Sequence, residues 1–255
     1  MLNEINLDDI KETAVKAGNA IMEIYNRDFQ IVYKEDKSPL TEADLRSNEI
    51  ICFELEKLYP NIPILSEENK EVPYETRKKW SYYWCIDPID GTKEFIKKNG
   101  EFTVNIALIH NGIPVLGVVY APALNELYSA KKDSGAFKNS QQLPLRVNEN
   151  PAHSLRVVAS KSHLSKETQE FIDTLSIQTR NIEQVSKGSS LKLVMVAEGE
   201  ADIYPRLAPT MEWDTAAADA IVREAGKMTC QYHSFPYTPL VYNKKDLLNP
   251  WFIVK

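Results

Sequence analysis

Apolar residues recur every three to four positions between residues 7 and 26. Ile10, Ala14, Ala17, Ile21 and Ile24 share one face with charges between them, which predicts an amphipathic helix. A second stripe of Ile51, Leu55 and Leu58 predicts a helix from about 41 to 59 that stops at Pro60. The period then shortens. Residues 82–86 read as an aromatic, apolar strand. Residues 102–109 and 113–119 read as two strands joined through His110-Asn111-Gly112 as a hairpin, with another strand at 127–130. The second half alternates: strand 156–160, helix 166–175, helix 191–197, strand 201–204, helix 215–225 and a final strand at 251–254. Such alternation predicts an α/β protein, an α+β layered sandwich of helix and sheet layers. Residues 138–152 are rich in Asn, Gln and Pro and carry no strong period. They are the expected domain boundary, dividing the chain into residues 1–148 and 149–255. No internal repeat is visible.

Composition narrows the class. With 255 residues, 43% of them hydrophobic, the chain can bury a substantial core without disulfides or a structural metal. A net charge of -6 argues against a sequence-blind binder of nucleic acid polymers, whose affinity rests on a basic surface. The acidic, polar start MLNEINLDDIKE does not read as a secretory signal. The most apolar region, 106–124, is broken by His110, Asn111 and two prolines, so no integral membrane segment is expected. Cys52, Cys85 and Cys230 form no CxxC pair and read as reduced thiols of a cytoplasmic protein. The four histidines make no ligand cluster, so any metal here would be held by carboxylates.

One segment stands out: Asp87-Pro88-Ile89-Asp90-Gly91-Thr92 directly after the 82–86 strand. The strand is expected to end at Ile86, with Pro88 and Gly91 setting a turn that aims Asp87 and Asp90 at one point. Two bare carboxylates in one place repel, and a hard divalent cation removes that cost. The Ile89 carbonyl lies between them as a further oxygen donor. Gly91 and Thr92 open a short helix, 92–97, whose first amides suit phosphate oxygens. Upstream, an apolar run ends in Glu67-Glu68; downstream, Asp214 falls at or near the N-cap of the 215–225 helix, whose alanines allow close approach of another element. Asp44 follows Thr41 at capping-box spacing, and it serves either that cap or a hydroxyl elsewhere in the fold. Each segment alone also has an ordinary reading as a turn, an acidic loop or a cap.

Together the Glu67-Glu68 pair, the DPIDGT segment and Trp213-Asp214-Thr215-Ala216-Ala217 resemble the inositol monophosphatase superfamily of magnesium-dependent, lithium-sensitive phosphatases, in that family's order and over most of the chain. Within it the chain is most similar to the bacterial 3'(2'),5'-bisphosphate nucleotidases of the CysQ type. The cues are GTKEFI from Gly91, GEFTVNIAL from Gly100, Gly188-Ser189-Ser190-Leu191-Lys192 and Tyr204-Pro205-Arg206.

The resemblance implies an inositol monophosphatase/fructose-1,6-bisphosphatase-like fold with its site between two α/β domains. It implies two or three magnesium ions (Mg2+) held by Glu67, Asp87, the Ile89 carbonyl, Asp90 and Asp214. Thr92 and Asp44 would orient and deprotonate the attacking water, and Glu68 would help from behind. The Gly91 and Thr92 amides would hold the scissile phosphate. The expected substrate is 3'-phosphoadenosine 5'-phosphate (PAP), hydrolysed to AMP and phosphate, with Gly188, Ser189 and Ser190 near the nucleoside. Lys93, Lys161, Lys187, Lys192 and Arg206 are the candidates for its second phosphate, Arg206 first. Two departures from the family pattern, Ala218 and Glu212, are expected to alter the pocket wall. Some relatives are described as peripheral on the cytoplasmic side of the inner membrane. The alternative is an inositol monophosphatase or sugar phosphatase with the same metal site. A non-catalytic nucleotide sensor would lack a ligand or the Thr92–Asp44 pair, and none is missing here.

Overall fold

The computed structural model describes residues 1–33, 39–69, 71–146, 154–159, 165–178 and 181–255. After a 3-10 turn at Leu2–Glu4 come α1 (Leu7–Tyr25), β1 (Ile31–Tyr33), β2 (Pro39–Thr41), α2 (Glu42–Leu58), β3 (Ile64–Ser66) and α3 (Tyr74–Arg77). Then follow β4 (Tyr82–Asp90), α4 (Thr92–Ile96), β5 (Thr103–His110), β6 (Ile113–Ala121), β7 (Glu126–Lys131), β8 (Ala136–Lys138) and β9 (Gln141–Gln142). The rest comprises β10 (Leu155–Val158), α5 (Lys166–Gln178), β11 (Ile182–Val185), α6 (Leu191–Glu198), β12 (Tyr204–Arg206), α7 (Glu212–Glu224), β13 (Thr229–Gln231) and β14 (Phe252–Val254).

Strands β3 to β9 form one sheet in chain order; β3 and β4 are parallel and the other neighbours antiparallel. The sheet is buried on both faces, and the period-2 alternation of its strands divides the side chains between two cores. Trp84, Ile86, Val104, Ile106, Leu108, Leu116 and Val118 pack under α1 and α2. Tyr83, Cys85, Ala107, Ile109, Val119 and Tyr128 face the other way, onto α6 and α7. The second core joins both halves of the chain, since it also holds Leu191, Ala217, Phe252 and Val254. Beyond it lies the small sheet β12-β14-β13, and β10 pairs in parallel with β11. Helix and sheet layers alternate as expected. Residues 147–152 of the expected boundary lie outside the described residues.

Helix α7 lies close on the sheet because Gly117 of β6 leaves it room. A Cβ there would stand 2.1 Å from the Ala217 carbonyl oxygen and 2.8 Å from the Ala220 methyl. The alanine run of α7 therefore meets a matching notch.

Three boundaries differ from expectation for identifiable reasons. The strand does not end at Ile86 but runs to Asp90, with a shift of register between Asp87 and Asp90. Pro88, which has no N–H to pair, falls inside that bulge, where a missing donor costs nothing. Helix α7 starts at Glu212, with Met211 at the N-cap position, so Asp214 sits within the first turn, reaching back to the Met211 amide at 2.9 Å. The 201–204 strand moves to Tyr204–Arg206, an edge strand whose pairing with β14 tolerates Pro205.

Candidate active site

A bulge at the end of β4 stands where the sequence predicted a turn. It carries Asp87, buried on the α7 side, and Asp90 beside it. The Asp87 carboxylate accepts from the Ile89 amide at 3.1 Å, and Ser47 of α2 donates to the Pro88 carbonyl at 2.8 Å. Both bonds hold the bulge in shape. Strand β3 runs parallel to β4 and delivers Glu67 and Glu68 in the turn beyond Ser66. That turn is itself tied down: Ser66 donates to Asn48 of α2 at 2.7 Å and accepts from the Glu68 amide.

Electrostatics shows that the acids share one neighbourhood. Burial raises the Asp87 carboxyl well above its ordinary range, and the charges of Glu67, Asp90, Asp214 and Asp44 each push it further. Asp214 is pushed up to about 8, first by burial, then by Asp90; Glu67 adds to this, while the Met211 amide and Arg206 oppose it. Among the described residues no three such side chains yet converge tightly enough to grip an ion. They stand within Coulombic range of one another, as unshielded like charges do. The donor set fits a hard divalent cation: all oxygen, strongly negative and largely buried. The Asn105 Oδ1, on β5 directly opposite Asp87, is a buried acceptor without a partner, a further sign of a polar guest.

Asp44 has both of the roles the sequence left open, one on each oxygen. Its Oδ2 accepts from the Thr41 amide at 2.8 Å and the Thr41 hydroxyl at 2.6 Å, closing the capping box of α2. Its Oδ1 accepts from the Thr92 hydroxyl at 3.2 Å, and the same hydroxyl lies 3.4 Å from the Ile89 carbonyl. Burial raises the Asp44 carboxyl, hydrogen bonds from Thr41 pull it down, and the charge of Glu68 raises it again. Thr92 opens α4 after Gly91, whose φ of 92° is a left-handed conformation that glycine adopts readily; no side chain caps this helix.

The far wall comes from the second half of the chain. The turn 188–190 sits on the start of β5, where a Cβ on Gly188 would come within 2.6 Å of the Glu101 carbonyl oxygen. Thr103 reaches the Ser189 hydroxyl at 3.4 Å. Ser190 is buried and faces inward. Its hydroxyl lies 2.7 Å from Asp90 Oδ2, 2.7 Å from the Asp214 carbonyl oxygen and 2.8 Å from the Asn105 amide nitrogen.

Among the basic candidates, burial lowers the pKa of Lys192; the acid of Asp90 opposes the shift, and the cation of Arg206 reinforces it. Arg206 donates to the Pro209 carbonyl at 3.0 Å and keeps its Nε buried without a partner. Lys93 is exposed. Lys187 stands 3.6 Å from Glu200 and 3.9 Å from Glu126, so its charge is already engaged. Lys161 lies outside the described residues.

Neither departure from the family pattern lines the cleft. Ala218 is buried in the core. Glu212 is fully buried and accepts from the Asn243 amide, the Lys244 amide and the Lys244 ammonium at 2.7, 3.0 and 2.5 Å. Arg77 holds the same loop through the Asn243 side chain and the Lys244 and Lys245 carbonyls. Sequence reasoning missed this clamp, and it missed Asn105 and Asn48. The only sequence signal for Asn105 is a lone amide inside the apolar run 102–109.

A layered fold with an acidic bulge, a Thr–Asp pair and a facing helix that brings a further acid defines a class of metal-dependent phosphatases. The chain belongs to the inositol monophosphatase family, whose model matches residues 5–250. It is 44% identical over 252 residues to the 3'(2'),5'-bisphosphate nucleotidase CysQ of Escherichia coli strain K12, covering 97% of this chain and 98% of that one. The crystal structure of CysQ from Bacteroides thetaiotaomicron is similar with a TM-score of 0.88 and 45% identity, over 98% of this chain and 96% of that one. An IMPase from Thermotoga maritima is similar at a TM-score of 0.75 and 30% identity, over 98% and 91% of the two chains. Among the described residues no helix is long and apolar enough to cross a membrane.

Proposed function

We propose that the protein is a magnesium-dependent phosphatase that removes the 3'-phosphate of 3'-phosphoadenosine 5'-phosphate, giving AMP and phosphate. The observation that carries this reading is the meeting of the β4 bulge, the Thr92–Asp44 pair and Asp214 around a buried, all-oxygen acidic site. The nucleotidase names of relatives 44% identical over nearly the whole chain support the choice of substrate.

Glu67, Asp87, the Ile89 carbonyl, Asp90 and Asp214 are the proposed holders of two or three magnesium ions. When bound, the ions supply Lewis-acid stabilisation of phosphate charge and a lowered pKa for an attacking water. The chain's own residues do the rest. Thr92 orients the water through its hydroxyl, and Asp44, whose basicity burial has raised, takes up the proton relayed through Thr92. Glu68 adds negative charge behind Asp44. The Gly91 and Thr92 amides hold the scissile phosphate in line. Gly188 and Ser189 border the nucleoside side of the cleft. Lys192 and Arg206, two cations close enough to repel, form the proposed subsite for the 5'-phosphate, and an anion between them relieves that repulsion. The division into residues 1–148 and 149–255 follows from the same reading, with Asp214 as the second half's ion ligand.

Phosphate release with magnesium tests this directly. 3'-Phosphoadenosine 5'-phosphate is expected to outrun inositol 1-phosphate and fructose 1,6-bisphosphate, with activity lost in Asp87→Asn and inhibited by lithium. Faster release from inositol or sugar phosphate would keep the ion site and discard the nucleotide.

A further inference from the structure

We propose that Asn105 and Ser190 act as a pair of positioning residues that aim Asp90 at the ion site and fix its distance from Asp214. The Ser190 hydroxyl then serves the acids rather than the nucleoside.

Ser190 has one hydroxyl proton and two acceptors at the same 2.7 Å, the Asp90 carboxylate and the Asp214 carbonyl oxygen. A charged acceptor makes the stronger bond, so the proton goes to Asp90. That leaves the hydroxyl oxygen to accept from the Asn105 amide at 2.8 Å. The direction of the chain is thereby set: Asn105 donates to Ser190, and Ser190 donates to Asp90. Three elements meet at one oxygen atom. Asp90 ends β4, Asn105 stands on β5 opposite Asp87, and Asp214 lies in the first turn of α7.

All participants except Asp90 and Asp214 are almost fully buried, Asn105 and Ser190 at 1% exposure each. A buried amide in a strand of apolar residues costs stability unless it is used. Asn105 is used on one side only; its Oδ1 has no partner and remains an acceptor beside the acids. The turn that carries Ser190 cannot drift, because Gly188 is wedged against Glu101 and Ser189 is met by Thr103. With one carboxylate oxygen of Asp90 held from behind, the other is left to face the ion.

The inference rests on the ion-site reading above, and the test separates the two. Calorimetric titration of the nucleotide-free protein with Mn2+ reads the site without turnover. Ser190→Ala and Asn105→Ala are each expected to weaken Mn2+ binding by about tenfold, the low end for residues that orient ligands. The double variant should lose little more than either single one, because both act through one bond. At saturating magnesium, the KM for the nucleotide should move less than about twofold, as expected of residues that touch only the acids. Asn105→Ala keeps the hydroxyl and reads the same chain should Ser190→Ala melt. Unchanged ion binding in a folded variant overturns the inference, as does a raised KM with an unchanged magnesium requirement. Absence of Mn2+ binding in the parent would instead overturn the ion-site reading itself.

Discussion

Asp44 shows how one side chain can both cap a helix and hold a hydroxyl from a distant element. Its two oxygens are divided, one closing the capping box with Thr41 and one holding Thr92. The cap fixes the carboxylate at the start of α2, and the hydroxyl of Thr92 is thereby presented at a fixed place. Thr92→Val is expected to lower kcat by roughly 10²–10⁴, the range for loss of proton transfer, whereas Thr92→Ser should keep most of the rate. Steady-state phosphate release compares the two. The capping spacing was readable in the residues themselves; the bond across 48 residues to Thr92 was expected only through the family resemblance, because nothing local in the chain shows that the fold brings α2 and α4 together. The same limit explains Ser190. The family resemblance placed it near the nucleoside, and its burial and three partners at 2.7 to 2.8 Å, which no sequence pattern shows, are what the proposed positioning role rests on.

At the scale of elements, periodicity identified the helices and the long strands well, because their faces are buried against only one or two neighbours. What it misjudged was backbone irregularity. Asp-Pro and Asp-Gly pairs are turn formers, yet here the flanking β5 continues to pair with Asp87 and Asp90, so the same residues form a bulge. Tertiary pairing also pulled the start of α7 back to Glu212, since its buried carboxylate is needed to hold the 243–244 loop. The seat of α7 is more demanding than its cap. Gly117→Val puts atoms where the Ala217 carbonyl now lies, and urea denaturation should show a loss of about 1–3 kcal/mol or more. Because Asp214 rides on α7, the same variant should also weaken Mn2+ binding.

Across the whole molecule, the proposed ion binding would tie elements that are far apart in the chain. Glu67 follows β3, Asp87 and Asp90 lie on β4, and Asp214 lies on α7. An ion bound only by the folded state at a hundred times its Kd stabilises by about 2.7 kcal/mol, roughly 5–10 °C for a chain of this size. Differential scanning fluorimetry should show that gain with magnesium and its loss in Asp87→Asn. Without magnesium, Asp87→Asn should melt no lower than the parent, since it relieves repulsion among buried acids. A second prediction concerns acid. Burial alone would raise the Glu126 carboxyl, but Lys138 at 2.9 Å and Lys187 overrule it and hold it below its ordinary value. Its contribution is therefore complete above the unfolded value of about 4.5 and is lost as pH falls through the lower folded value. Thermal melts of the parent and Glu126→Gln should diverge most above about pH 5 and converge toward about pH 3.

The notch at Gly117 also bears on how such a protein can change over time. The seat of α7 on β6 is set by main chain lying on main chain, with no side chain at Gly117 between them to be substituted. Residues proposed to border the substrate, such as Lys93, Ser189, Lys192 and Arg206, are not part of that seam. Substrate preference is thus free to drift by exchange of cleft residues, while the geometry that performs the hydrolysis is inherited unaltered from the core.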